Sequence, residues 1–214
     1  MINLLLQGLE ETVRNALEED IGSGDITAEL VPEDHEAVAT VICRQHATLC
    51  GEPWVNTVFN QVDSGMQLDW QKHDGDPVIP QDVIFIAKGK ARSLLMAERT
   101  ALNFLQTLSS VATSAKTVAD LVQHADVRIL DTRKTIPGLR LAQKYAVQVG
   151  GCSNHRIGLF DAFLIKENHI NACGSITNAI RNARMQHSDK QVEVEVETHD
   201  QLREALSAGA DIVL

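Results

Sequence analysis

The chain has 214 residues, 44% hydrophobic and 22% charged, with a formal net charge of -10, enough for one large or two small cored domains of ordinary globular composition. An acidic surface repels nucleic acid and anionic lipid, and the few aromatic residues (five Phe, two Trp, one Tyr) form no basic-aromatic stripe, which argues against nucleic-acid and membrane partners. The start MINLLLQGLE has neither the basic region nor the apolar run of a secretory leader, no stretch is long enough to span a membrane, and Cys43, Cys50, Cys152 and Cys173 lack C-x-x-C or disulfide-framework spacing. A reducing, cytoplasmic protein with free buried thiols and no zinc is expected.

In chain order, residues 4–19 place apolar side chains at helical spacing, and SGDIT (residues 23–27) follows as a turn able to cap or anchor that helix. Residues 37–51 are β-rich and end at a glycine. EPWVNTVFNQV predicts a short helix, with Pro53 in its first turn, where a missing N–H costs nothing. Strands are expected at 66–70 and 83–87, separated by the turn-rich HDGDPVIPQD. These ninety or so residues read as a mixed α+β module. One helical pattern then runs without Pro or Gly from 91 to about 124.

Beyond it the rhythm changes. VRILD, AFLIK, VEVEVE and ADIVL read as strands, and LRLAQKYAVQV, SITNAIRNARMQ and DQLREALSAG as the helices between them. Such alternation means β-α units and a parallel sheet, either an α/β barrel or a doubly wound sheet. In VEVEVE (residues 192–197) the valines share one face and Glu193, Glu195 and Glu197 the other. Both faces of a parallel sheet are normally covered, so these carboxylates need partners.

The ends of these strands carry the chemistry. Between Asp131 and His169 six Lys or Arg (Arg133, Lys134, Arg140, Lys144, Arg156, Lys166) face three acids (Asp131, Asp161, Glu167), a local charge of +3 in a chain of net -10. A cationic island in an acidic protein suits a small anion better than a polymer. In α/β barrels chemistry collects where strands end. Arg133 and Lys134 follow the first strand, Lys166 the second, and Glu195 belongs to the third, while His155 and Arg156 follow a Gly-Gly pair. A lone lysine closing a strand is commonly a solvated cap. The convergence of four segments is what points to a site. Arginine grips carboxylate or phosphate with two parallel hydrogen bonds and lysine acts as a point charge. Glu195 would repel an anion, so it fits a sugar hydroxyl or a hard cation, or else pairs internally with Arg133 or Lys166.

LDTRKTIPGLR (residues 130–140), KYAVQVGGCSNHRIGLFDAFLIKENHI (144–170) and VEVEVE, together with AERTALNFLQTLSSVAT (97–113) and SGDIT, closely resemble the quinolinate phosphoribosyltransferases, also called nicotinate-nucleotide pyrophosphorylases (carboxylating). The resemblance covers essentially the whole chain. It implies an α/β protein with an N-terminal α+β sandwich domain (1–92) and an open, here incomplete, parallel α/β barrel (93–214). The implied enzyme is a decarboxylating pentosyltransferase of NAD biosynthesis, joining quinolinate to 5-phosphoribosyl diphosphate and releasing pyrophosphate and CO2. By the same match, Arg133, Lys134, His155, Arg156 and Lys166 bind the carboxylates and phosphates, and Thr132 lies in the same loop. Glu195 meets the ribose and Mg2+, with Lys134, Lys166 and Glu195 as catalytic residues and Glu195 as the metal ligand. Arg99 reaches the neighbouring site of a homodimer.

Set beside the family's pattern, ADIVL stops before a further acidic motif and the last β-α units, so a fragment of a longer enzyme is expected. Two alternatives stand beside the main reading. One is a nicotinate-specific or molybdenum-operon protein of the same fold. The other is a non-catalytic anion-binding module.

Overall fold

A computed structural model describes residues 2–214. The chain divides into two compact units, residues 1–155 and 156–214, taken here one at a time. These compact units divide at 155/156, well past the domain boundary near residue 92 that the resemblance implies. The reason is α4 (Ala91–Leu121), a single helix whose buried stripe Ala97, Ala101, Leu105, Leu108 and Ala112 belongs to the same core as Trp54, Val58, Phe59 and Phe85. A helix of this length, about 46 Å at 1.5 Å per residue, cannot leave the module whose core it completes.

In the first unit, α1 (Ile2–Leu5) and α2 (Leu9–Ile21) replace the one helix expected over 4–19. The break falls at Gly8, whose φ of 72° is left-handed and which N-caps α2. β1 (Glu36–Ile42), β3 (Gln67–Trp70) and β5 (Val83–Lys90) form an antiparallel sheet in the order β1-β5-β3, and β2 (Ala47–Thr48) pairs with β4 (Pro77–Val78). β4 falls inside the turn-rich stretch HDGDPVIPQD, because a two-residue strand is too short to show alternation. α3 (Glu52–Val62) matches the expected helix, with Pro53 in its first turn. SGDIT does not cap α2. Asp25 Oδ1 instead accepts from the backbone N–H groups of Thr27 and Ala28, closing the short turn that follows.

α5 (Arg140–Val149) packs on α4; its buried Ala142 and Ala146 lie four residues apart on one face, while the buried Lys144 between them points to another. At the contact, a Cβ on Gly150 would lie 2.4 Å from the Ala112 carbonyl oxygen and 2.6 Å from Ala115 Cβ, so only glycine fits. The expected strand VRILD is reduced to a parallel bridge between Leu130 and Ser153, with N–H groups of Asp131 and Ser153 bonded to Ser153 O and Ile129 O.

In the second unit, β6 (Ala162–Ile165), β7 (Gln191–Val194) and β8 (Ile212–Val213) form a parallel sheet in sequential order. α7 (Ile176–Gln186) and α8 (His199–Ser207) are the crossovers. Ser175 and Thr198 cap them with side-chain oxygens, as Ser-x-x-Asn and Thr-x-x-Gln spacing favours. α6 (Glu167–Cys173) was expected as a loop. Its first turn is closed by His169 Nδ1, 3.0 Å from the backbone N of Lys166, a cap that no apolar periodicity announces. The core is Ile165, Ile176, Ile180, Val192 and Val194. Among the described residues no helix is long and apolar enough to cross a membrane. All four cysteines are free; Cys50 is buried, whereas Cys43, Cys152 and Cys173 are half-buried rather than fully buried as expected.

Candidate active site

The loop after Leu130 is shaped by its own polar groups. Thr132 Oγ1 accepts from Lys134 N at 3.1 Å, Thr135 N donates to Arg133 O at 3.0 Å, and Ile136 N donates to the Gln143 side chain at 2.8 Å. Arg140, at the start of α5, donates through Nε to Thr135 Oγ1 (3.1 Å) and through Nη2 to Arg133 O (3.4 Å). Thr132 and Lys134 are exposed and Arg133 is half-buried. The Arg133 Nε is sealed from solvent and has no hydrogen-bond partner. A buried guanidinium N–H without an acceptor is costly.

Beneath the loop lies a group that sequence reasoning counted as charge but did not assign to the site. Lys144 is 1% exposed. Its Nζ lies 2.6 Å from Asp131 Oδ1 and 3.3 Å from the His155 carbonyl. Asp131 also accepts from His155 N (2.8 Å) and, at Oδ2, from Asn154 Nδ2 (2.8 Å). Burial was the missing signal: nothing in KYAVQV says that its lysine faces inward. Arg99 is exposed on α4.

In the second unit the turn after Arg156 is held by Asp161, whose carboxylate accepts from Ile157 N (2.5 Å) and Gly158 N (3.2 Å). Arg156 Nη1 is 3.5 Å from Ala162 O. Register decides the rest. Ile165 pairs with Val194, so the next residues, Lys166 and Glu195, fall side by side at the strand ends, and Glu195 N donates to Ile165 O at 2.8 Å. Lys166 Nζ pairs with Glu195 Oε2, which selects lysine from the two internal partners the sequence left open. The acidic face of VEVEVE is therefore graded. Glu193 is buried, Glu195 half-buried and Glu197 exposed, while Val192 and Val194 are fully covered. The strand itself ends at Val194, earlier than the alternation suggested, because Glu195 and Val196 keep only single backbone bonds, to Ile165 and Leu214.

Each unit is also pinned by carboxylates away from these residues. Asp74 takes N–H groups from Gly51 (2.8 Å) and Glu52 (3.0 Å) at the start of α3 and the Tyr145 hydroxyl (2.8 Å); burial pushes its pKa up. Asp211 accepts from Val192 N (2.6 Å) and Arg184 Nη2 (2.7 Å), and these bonds, the first above all, hold its pKa below the ordinary 3.8.

Parallel strands with helices between them, and lysines and arginines just after the strand ends, place the chain in the class of mixed α/β proteins built from β-α units. Comparison with known proteins narrows the class. Residues 25–109 match the domain family described as "Quinolinate phosphoribosyl transferase, N-terminal domain", and residues 111–214 its C-terminal domain. The probable nicotinate-nucleotide pyrophosphorylase [carboxylating] of Bacillus subtilis is 39% identical over 207 residues, covering 96% of this chain and 72% of its own. The chloroplastic nicotinate-nucleotide pyrophosphorylase [carboxylating] of Arabidopsis thaliana is 38% identical; the match covers 92% of this chain and only 58% of the plant protein. The solved nicotinate-nucleotide pyrophosphorylase of Francisella tularensis superposes with a TM-score of 0.90 at 49% identity, covering 96% of this chain and 72% of that one. NadC from Streptococcus pyogenes gives 0.93 at 38%, covering 97% and 74%. The chain belongs to the quinolinate phosphoribosyltransferase family.

Proposed function

We propose that the protein transfers the phosphoribosyl group of 5-phosphoribosyl diphosphate to the ring nitrogen of quinolinate. The adjacent carboxylate leaves as CO2, giving nicotinate mononucleotide and pyrophosphate. The observation that carries this reading is the Arg133 Nε, a buried donor with no acceptor of its own, in the loop of a family whose members are named for this reaction. Arg133 and Arg156 hold the diacid. Lys134, His155 and Lys166 neutralise carboxylate and phosphate charge, and Thr132 sets the loop on which two of them stand. Charge-assisted hydrogen bonds contribute roughly 1.5–3 kcal/mol each, so several together offset the dehydration of a dianion. Catalysis is then mainly orientation and charge stabilisation. The ring nitrogen attacks the anomeric carbon as pyrophosphate departs; once cationic it stabilises the carbanion left on the adjacent ring carbon by the departing CO2, and a proton from solvent then completes the C–H bond.

No cluster of three or more His, Cys, Asp or Glu able to hold a metal ion is found among the described residues, so a cation caged wholly by protein does not fit. Glu195, 42% exposed at its side chain, fits a magnesium ion that takes one carboxylate and completes its shell with water and substrate phosphate. Such an ion would supply charge neutralisation at the diphosphate. Lys166 holds the Glu195 carboxylate in place until the donor arrives. Arg99, exposed on α4, serves the neighbouring copy of a cytoplasmic homodimer.

The test is to supply quinolinate, 5-phosphoribosyl diphosphate and Mg2+ and measure nicotinate mononucleotide and CO2, with nicotinate as the competing acceptor. Product from quinolinate and none from nicotinate is expected. Saturable quinolinate binding without product, or preference for nicotinate, overturns the reading.

A further inference from the structure

We infer that Lys144 is a positioning residue: the buried Lys144–Asp131 pair locks the loop bearing Arg133 and Lys134 to the segment ending in His155. The inference rests on the function proposed above for those cations, and goes beyond it to a residue that would touch no substrate. Lys144 is sealed inside the first unit, so neither a ligand nor bulk water is its partner. Its charge is cancelled by Asp131, and the pair adds nothing to the net cationic charge offered to an anion.

What the pair does is geometric. Asp131 is the last residue before the loop, and its Oδ1 is shared by Lys144 Nζ and the His155 backbone N–H. Lys144 Nζ returns to the carbonyl of the same His155. Asn154 spends its amide group on Asp131 Oδ2 and the Lys144 carbonyl (2.9 Å), which leaves Asn154 Oδ1 buried with no donor. A network serving stability alone would not leave that acceptor unmet, and an apolar pair of the same volume is often at least as stable as a buried ion pair. The arrangement keeps its charges because a carboxylate accepting from three directions fixes two chain segments at once, as no apolar contact does.

The experiment compares the protein with Lys144→Met, which keeps length and volume without charge, and with the double variant Asp131→Asn/Lys144→Met, which leaves no lone buried carboxylate should the single variant fail to fold. Amide hydrogen exchange is read without ligand, and quinolinate affinity by calorimetry on the folded samples. In a folded variant the amides of His155 and of residues 131–135 are expected to exchange at least tenfold faster. The α4 and α5 amides keep their protection, and the quinolinate dissociation constant rises tenfold or more. Unchanged exchange at His155, a loss of protection spread evenly through α4 and α5, or unchanged quinolinate affinity in a variant whose loop has loosened overturns the inference. If the unsubstituted protein itself does not bind quinolinate, the proposed function falls, and the exchange data alone then decide whether the lock exists.

Discussion

Lys166 and Glu195 stand one residue beyond the paired strand ends Ile165 and Val194 and form an ion pair there, with side chains 49% and 42% exposed. A pair so open to solvent contributes little to folding, about 0–1 kcal/mol. Its value is to present a carboxylate and an ammonium together at a fixed spacing. Glu195→Gln is therefore expected to leave the thermal midpoint within about 3 °C of the parent and to lower turnover by at least about 100-fold if the carboxylate acts on the donor. Differential scanning calorimetry beside the nicotinate mononucleotide assay checks both. A large fall in stability with normal turnover would make Glu195 structural.

Arg133 presents the opposite balance. Its Nε has no partner, so Arg133→Ala removes an unsatisfied donor, and stability is expected to stay level or rise slightly. Quinolinate affinity should fall about 10- to 100-fold, the range of one charge-assisted bond. Calorimetric titration decides it; near-parent affinity would remove Arg133 from the site.

Gly150 is a purely steric prediction. Its φ of -74° is ordinary, so the backbone would tolerate alanine, but the added Cβ would meet Ala112 O and Ala115 Cβ at 2.4 and 2.6 Å. Because the obstacles are helix backbone and a methyl group with nowhere to rotate, Gly150→Ala is expected to cost about 1–3 kcal/mol, read from chemical denaturation. A neutral result would mean that α4 and α5 separate more easily than their packing implies.

The Asp211 carboxylate titrates below its ordinary 3.8 in the folded protein, because the Val192 N–H and then Arg184 favour the charged form. The folded state thus binds this proton less tightly than the unfolded chain. The stabilisation is present in full above the ordinary value and is lost as pH falls through the depressed one. Asp211→Asn should flatten the acid limb of the stability profile below about pH 5 while lowering stability at pH 7. Thermal midpoints of both proteins across pH 2–7 test the sign. An unchanged acid limb would remove Asp211 as a contributor.

The local elements were legible wherever periodicity and punctuation agreed. α3 is legible from Pro53 and its apolar spacing, and α7 and α8 from patterns that begin at Ser175 and Asp200, the latter two residues past the Thr198 cap. The elements that escape are those that rest on one or two bonds rather than on a periodic pattern. α6 depends on His169 reaching back to Lys166 N, β4 is two residues long, and the strand expected at VRILD keeps one bridge. The cations of the candidate site were visible as a charge excess among strand ends, because charge and sequence position are properties of the chain itself.

By itself, then, the sequence determined which residue types stand at the strand ends, the parallel β-α rhythm and the family, since all three are patterns along a line. Only the tertiary structure decided that Lys144 faces inward to Asp131 while Lys166 faces water and Glu195. The physical reason is that the fate of a charge depends on what surrounds it: how far it is dehydrated, and whether a partner from a distant segment stands within hydrogen-bond reach.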